Sequence, residues 1–309
     1  MNKVEKRFYL YLLIWVLADL VQAVFTNMHA DEAYYALYGQ FLDWGYYDHP
    51  PMVALLTYLS HFVGMGALSV RFCTVLLHGA TIWLVWKTLS PVNATVRDVN
   101  EFFLIAFSLF MFVLYGFITT PDGPLLFFTA LFFYLYQQYL KKDSFLLAML
   151  LGLTMAGMLY SKYMAVLVIG FVVLSNFKLL KDWKLWLAVV LAALLFLPHI
   201  LWQFNQDFPS LKYHFLLRRP IFLGIYSGIS AQSAAGFQSG MLVSGLLVLL
   251  AGTQQQRPFH QGLCFHLCGL CPVFLGDDGQ RPCRAALDHC HFGSDAVFVV
   301  YKYSQRTVA

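Results

Sequence analysis

Two neighbouring motifs near the N-terminus contain the residues best suited to chemistry. They are residues 29–35, with the sequence HADEAYY, and residues 45–51, with the sequence GYYDHPP. A carboxylate such as Asp31 can act as a general base on a substrate hydroxyl, and Glu32 places a second carboxylate beside it. Aromatic side chains can stack on a sugar ring, and the candidates for this are Tyr34, Tyr47 and His49. The motifs therefore predict a site for proton transfer on a hydroxylated substrate.

Three later segments supply further charged and aromatic groups. Asp122 lies within the sequence TTPDGP, Lys162 is followed directly by Tyr163, and Arg218 comes further along the chain. Cations such as Lys162 and Arg218 can hold a phosphate and stabilise the charge that grows as it leaves. Because phosphate is a good leaving group, this chemistry needs no second carboxylic acid, in contrast to glycoside hydrolysis. The set of residues therefore suits sugar transfer from a polyprenyl phosphate.

Long apolar segments must position these residues. A helix needs roughly 20 mostly apolar residues to cross a bilayer. The predicted spans are residues 8–25, 68–89, 102–117, 123–140, 145–160, 164–179, 186–202 and 237–251. A long loop separates the first two spans, and its residues 52–62 are predicted to form an interfacial helix. The sequence thus predicts an all-α polytopic membrane protein with about eight spans.

The composition supports a membrane protein. The 309 residues are 60% hydrophobic and only 12% charged, and the mean hydropathy is +0.64. Soluble domains are about 45–50% apolar and about 25% charged, so this chain has too little polar surface for a water-facing shell. The net charge of +4 forms no basic stripe. Membrane lipids are therefore predicted partners, and nucleic acid is not.

Lysine and arginine residues mark every second loop. They are Lys3, Lys6 and Arg7, then Lys87 and Arg97, then Lys141 and Lys142, then Lys178, Lys181 and Lys184. Because such residues favour the cytoplasmic side, the N-terminus is predicted to be cytoplasmic in a multi-pass protein of the cell inner membrane. The outer loops are then residues 27–67, 118–122, 161–163 and 205–236. All the candidate site residues lie in these outer loops.

The two N-terminal motifs resemble the first periplasmic loop of glycosyltransferase family 39. This group includes protein mannosyltransferases and aminoarabinose transferases of the GT-C fold. The Thr-Pro-Asp turn at Asp122, the Ser-Lys-Tyr sequence at Lys162 and residues 208–218 are similar to the group in the same order. The resemblance covers residues 27–252. It implies a GT-C type membrane domain over residues 1–252.

The resemblance also implies an activity. Asp31 would be the catalytic base and Asp122 a second acidic site residue, while Lys162 and Arg218 would bind phosphate. The donor would be a polyprenyl- or dolichyl-phosphate sugar, and the acceptor a lipid, a glycan or a protein. We expect transfer with inversion at the outer face. A divalent ion held by Asp31, Glu32 and Asp122 is allowed by the residue types, but the spacing does not require it, and no other cofactor or metal is predicted.

Simpler roles exist for the same residues. Asp31 and Glu32 suit the N-terminus of a helix, Asp122 could cap a span, Lys162 could extend from a helix end towards the interface, and Arg218 could bind lipid headgroups. The alternative function is a transporter or lipid flippase. Charges within membrane spans often mark transport paths. Asp19 and Arg71 are predicted to be such charges.

The segment 253–309 differs in character from the rest. Five of the six cysteines lie there, namely Cys264, Cys268, Cys271, Cys283 and Cys290, together with several histidines. Their spacing does not repeat as Cys-x-x-Cys pairs, which disfavours a zinc site. Cysteine and histidine codons read one base later encode mainly apolar residues. We therefore expect this segment to be a frameshift product that replaces further membrane spans.

Overall fold

The computed structural model describes residues 1–63 and 65–214, and every regular element in this part of the chain is helical. In chain order the α-helices are α1 (Lys3–Phe25), α2 (Ala30–Gln40), α3 (Met52–His61), α4 (Leu68–Leu89), α5 (Val96–Ser108), α6 (Phe110–Leu114), α7 (Asp122–Lys141), α8 (Phe145–Ser161), α9 (Ala165–Ser175), α10 (Trp183–Asn205) and α11 (Pro209–Lys212). A 3₁₀ helix, Phe177–Lys181, precedes α10. The all-α prediction is confirmed. The predicted span at 237–251, Arg218 and the segment 253–309 lie outside the described residues.

Three described helices are long and apolar enough to cross a membrane, namely α1, α4 and α10. Helices α8 and α9 are apolar but shorter. The predicted span at 102–117 is not one continuous helix, because α5 ends at Ser108 and α6 begins at Phe110. Between them Leu109 has φ −84° and ψ 87°, outside the helical region.

Helices α1, α4, α7, α8 and α10 pack in that order, each against the next. The predicted interfacial helix is present as α3, and the same loop also holds α2. The two loop helices pack on each other, and α3 packs on α4. They approach closely at Gly39, where an added Cβ would lie 2.9 Å from the backbone nitrogen of Tyr58. The Thr57 hydroxyl donates to the Tyr35 carbonyl oxygen at 3.1 Å, which fixes α2 against α3.

A buried polar pair joins α1 to α4 among the apolar side chains. Asp19 Oδ2 and His78 Nδ1 lie 2.7 Å apart, and both side chains are only 4% exposed. The His78 ring packs edge-on against Phe112 of α6, with ring centroids 4.6 Å apart. Gly116 lies against the pair on the other side. The pair therefore holds the interrupted α5–α6 segment against the bundle.

Candidate active site

Asp31 lies in the first turn of α2, at the end of the bundle where the long first loop folds back. His29 caps this helix, because its Nδ1 accepts a hydrogen bond from the Asp31 backbone nitrogen at 3.3 Å. The Asp31 carboxylate lies 3.7 Å from His29 Nδ1, and its side chain is 49% exposed. An acidic residue in the first turn is common, because the helix N-terminus carries a partial positive charge. Asp31 is therefore both a helix-terminal residue and a carboxylate that a substrate can reach.

Glu32, its neighbour, is completely buried and paired with Arg71 of α4. The two side chains are 0% exposed, and Arg71 donates to Oε2 at 2.5 Å and to Oε1 at 2.7 Å. Arg71 also donates to the carbonyl oxygens of Ala23, Thr26 and Asn27 at the end of α1. Glu32 was expected among the catalytic residues, but its location gives it a positioning role. The pair ties α2 to α1 and α4.

Glu32 also reaches the loop that carries Asp122. Its Oε1 accepts a hydrogen bond from the Thr119 backbone nitrogen at 3.0 Å. The Thr119 hydroxyl lies 2.7 Å from that of Thr74 and donates to the Val70 carbonyl oxygen at 3.0 Å. One buried carboxylate thus connects two of the motifs found in the sequence.

Asp122 begins α7 and pairs with Lys162 from the turn between α8 and α9. Lys162 Nζ donates to Asp122 Oδ1 at 2.9 Å. Asp122 is buried, while the Lys162 side chain is 21% exposed. The structure therefore brings two predicted site residues together, 40 positions apart in the sequence. Lys162 keeps a route to solvent, so its charge can also act on a bound anion.

A cluster of tyrosines surrounds Asp48, which was not among the predicted site residues. The hydroxyl oxygens of Tyr38 and Tyr34 lie 2.8 Å and 3.3 Å from Asp48 Oδ1 and within hydrogen-bond distance of each other, so their two protons are shared among three contacts. Burial raises the pKa of Tyr38, and the Asp48 charge raises it further. Tyr38 stacks on Tyr46 with ring centroids 3.9 Å apart. The sequence signal for this cluster was the spacing of Tyr34 and Tyr38, which are four residues apart and therefore on one face of α2, together with the GYYD motif at residues 45–48.

Tyr35 lies among the three carboxylates of the site. Burial raises its pKa, and the negative charges of Asp48, Asp31 and Asp122 raise it further, in that order. Its ring centroid lies 5.8 Å from that of His49. The hydroxyl therefore stays protonated and available as a hydrogen-bond donor. Asp31, Asp48 and Asp122 therefore all lie close enough to act on Tyr35, at the same end of the bundle.

His49 occupies the centre of the same region. Burial is the largest cause that lowers its pKa, to about 4, and the charge of Lys162 lowers it as well. Asp48 opposes this shift, and its Oδ2 lies 3.6 Å from His49 Nε2. His49 is therefore neutral near pH 7. It can donate and accept hydrogen bonds there, but it adds no positive charge.

The C-terminal end of α10 holds the first loop in place. His199 Nδ1 donates to the Trp44 carbonyl oxygen at 2.6 Å, which leaves Nε2 to accept from the Tyr163 hydroxyl at 2.9 Å. Gln203 donates to the hydroxyls of Tyr163 and Ser210, at 3.0 Å and 2.6 Å. Histidine and glutamine inside an apolar span were the sequence signal for these residues. Tyr163, expected to bind substrate, is thus also a link between α10 and the site.

Tyr47, Tyr213 and His214 complete the described arrangement at the exposed side of the site. Tyr47 is exposed, and its ring centroid lies 5.3 Å from that of Tyr213. His214 Nε2 lies 3.0 Å from the Asp48 carbonyl oxygen, which it can reach only as a donor. Arg218, a predicted phosphate ligand, lies outside the described residues. The aromatic side of the mouth is therefore present, and the described cation in the site is Lys162.

The carboxylates fit a metal ion poorly. Within residues 1–63 and 65–214, no group of three His, Cys, Asp or Glu side chains has an arrangement that could hold one. Glu32 is bonded to Arg71 and Thr119, and Asp122 is bonded to Lys162. The divalent ion that the residue types would allow between Asp31, Glu32 and Asp122 thus has no ready set of donor atoms in this part of the chain.

Comparison with known proteins supports the fold. The crystal structure of ArnT from Cupriavidus metallidurans in the apo state matches with a TM-score of 0.52 at 15% sequence identity, over 85% of this chain and 57% of that one. The likeness shows a shared GT-C fold, and this chain spans little more than half the length of that structure. Curated protein sequences gave no match.

A family model matches a part of the chain that contains four of the nine predicted site residues. The model is described as Dolichyl-phosphate-mannose-protein mannosyltransferase, and it matches residues 48–202, which are 155 of the 309 residues. The matched range includes His49, Asp122, Lys162 and Tyr163. With half of its length matched and the GT-C fold in place, the chain belongs to the dolichyl-phosphate-mannose-protein mannosyltransferase family.

Proposed function

We propose that this chain is a membrane glycosyltransferase, which moves a sugar from a polyprenyl-phosphate donor to a hydroxyl of a lipid, glycan or protein acceptor. One observation carries the proposal. Asp31 is a half-exposed carboxylate at a helix N-terminus, and it shares an end of the bundle with the Asp122–Lys162 pair. This arrangement provides a base for an acceptor and a cation for a departing phosphate.

The reaction is a single displacement. Asp31 takes the proton of the acceptor hydroxyl, and the acceptor oxygen forms a bond to the anomeric carbon of the sugar. The bond from that carbon to the phosphate oxygen breaks, and the phosphate leaves with the electron pair. Lys162 stabilises its charge, and Arg218 is a further candidate for this role. Attack opposite the leaving group inverts the anomeric configuration.

The remaining residues shape the site. Glu32 holds the loops together through Arg71 and Thr119, and Asp122 orients Lys162. Tyr34, Tyr47, His49 and Tyr163 provide aromatic faces and hydrogen bonds for the sugar. Because the lysine-rich loops lie at the other end of the helices, the positive-inside rule supports an outer-face site in the inner membrane. The acceptor stays open among the three classes.

The test uses the full 309-residue chain, purified in detergent with polyprenyl-phosphate mannose and a membrane extract as acceptor. Release of polyprenyl phosphate is measured. We expect Asp31→Asn to reduce the rate by about 10²- to 10⁴-fold, the usual contribution of a general base, with an unchanged thermal midpoint. The matched control is Asp143→Asn, which removes an exposed carboxylate at the other end of the bundle.

Two results would contradict the proposal. Equal rates for Asp31→Asn and the wild-type chain would remove Asp31 as the base. Donor that is never consumed in detergent, but is moved across sealed vesicles, would favour the transporter alternative. The charges that prompted that alternative are each paired inside the bundle, Arg71 with Glu32 and Asp19 with His78.

A further inference from the structure

A second feature lies at the opposite end of the bundle from the candidate active site. It is an apolar cavity of about 260 Å³, partly open at the surface, between α7, α8, α9 and α10. Its lining is hydrophobic and aromatic, and it includes Tyr136 of α7, Met155 of α8, and Trp186 and Val189 of α10. Because a helix rises 1.5 Å per residue, Trp183 at the start of α10 lies about 30 Å from Gln203 at the active-site end. The cavity is therefore separate from the site proposed for sugar transfer.

The 3₁₀ helix at the cavity combines apolar and cationic residues. Leu179 and Leu180 line the cavity, and Lys178 and Lys181 flank them. In a 3₁₀ helix, residues three apart lie on the same face, so the two ammonium groups point to one side. Neither lysine forms an ion pair within the described part of the chain, and both are exposed. A pair of cations thus lies next to an apolar cavity.

The acids nearby are already engaged. Asp182 accepts hydrogen bonds from the Tyr139 hydroxyl and from the Lys184 backbone nitrogen. Asp143 pairs with Lys184 at 2.6 Å. Asp143 and Lys184 offset each other, and the remaining negative charge of Asp182 offsets only one of the two lysines, Lys178 and Lys181. The local charge is positive and matches an anionic headgroup.

Exposed aromatic residues mark this level as a membrane interface. Phe177, Trp183 and Trp186 are 63%, 62% and 52% exposed. Tryptophan is enriched at membrane–water interfaces, where its ring meets both headgroups and acyl chains. Trp186 also lines the cavity, and its Nε1 donates to the Leu180 carbonyl oxygen at 2.9 Å. The cavity therefore opens at the depth where a lipid headgroup joins its chains.

We propose that this cavity binds an anionic glycerophospholipid, with an acyl chain in the cavity and the phosphate against Lys178 and Lys181. Basic pockets between membrane helices suit anionic headgroups in this way. The positive-inside rule places the lipid in the cytoplasmic leaflet. The site does not depend on the proposed sugar transfer, because it lies at the other end of the helices.

The test measures lipid-dependent stability of the full chain in nanodiscs. Phosphatidylglycerol is compared with phosphatidylcholine of the same acyl chains, with polyprenyl phosphate and with free inorganic phosphate. We expect phosphatidylglycerol to raise the thermal midpoint most, and free phosphate to have no effect. The double variant Lys178→Gln/Lys181→Gln should lose the difference between the two phospholipids. The control Lys3→Gln/Lys6→Gln, which removes two lysines at the same end of the bundle, should keep it.

A second measurement is native mass spectrometry of bound lipid, which does not depend on stability changes. Val189→Trp, which fills the cavity from α10, should reduce the number of retained phosphatidylglycerol molecules by one. Equal effects of the two phospholipids would overturn the proposal, as would loss of the preference in both double variants. A larger effect of polyprenyl phosphate that depends on Lys178 and Lys181 would also overturn it, because the site would then belong to the donor.

Discussion

Glu32 of α2 and Arg71 of α4 form a fully buried ion pair, with Arg71 Nη2 2.5 Å from Glu32 Oε2. The guanidinium also donates to the C-terminal end of α1, and the carboxylate accepts from the Thr119 backbone nitrogen. The pair is thus connected both to α2, which carries Asp31, and to the loop that leads into Asp122 of α7. The pair holds the site together without being part of its accessible surface.

Arg71→Met should destabilise the folded chain by about 3–5 kcal/mol, because removing one partner leaves a buried charge uncompensated. The measurement is thermal or denaturant unfolding in detergent. Arg97→Gln is the control, since Arg97 and Glu101 form a surface pair in which Arg97 is 70% exposed. Such pairs contribute only about 0–1 kcal/mol. Equal losses for the two variants would contradict the role assigned to the buried pair.

Lys162→Met should lower kcat by about 10²- to 10³-fold, the size of effect seen when one electrostatic donor is removed from a reacting anion. Lys162→Arg keeps the charge and should recover part of the loss. Lys212→Met is the control, because Lys212 lies at the same end of the bundle and pairs with the exposed Asp207. Steady-state kinetics with separate kcat and KM values make the measurement. A change in KM alone would assign Lys162 to ground-state binding.

His49 should make the protein less stable in acid. Its pKa is lowered from 6.5 to about 4 in the folded protein, so between these values the unfolded chain binds more protons than the folded one. The free energy of unfolding therefore rises with pH across this window. The stability that comes from keeping His49 neutral is lost as pH falls from about 6.5 to about 4. His49→Gln should flatten this part of a stability–pH profile measured in detergent. A profile of unchanged slope would show that His49 is not the group responsible.

Gly116→Ala should destabilise the chain by about 1–3 kcal/mol through overpacking. A Cβ at this position would lie 2.6 Å from His78 Cε1 and 2.8 Å from Asp19 Oδ2, both of which are buried. Gly170→Ala is the matched control, because no atom lies within 4 Å of a Cβ there. Since alanine is favoured over glycine in helices, the control should stabilise slightly. Unfolding of both variants under the same conditions provides the comparison.

The membrane helices and the candidate motifs were accessible from the sequence. Hydropathy and helix length predict α1, α4 and α10, because a bilayer imposes the same length on any span. The interruption at Leu109 was not predictable in this way, since residues 102–117 are apolar apart from Ser108 and Gly116, and one serine does not end an apolar helix. Apolar composition determines that a segment enters the membrane. The tertiary structure shows the helix breaking at Leu109, one turn before Phe112 packs on His78.

The difference between Asp31 and Glu32 depended on tertiary structure alone. Both are acidic and adjacent, and the sequence marked both for catalysis. Successive residues of a helix point about 100° apart, given 3.6 residues per turn, so only one of the two can face the bundle. Arg71, 39 positions away, decides that it is Glu32. The sequence by itself determined which residue types reach the site, whereas long-range packing decided which carboxylate is left for a substrate.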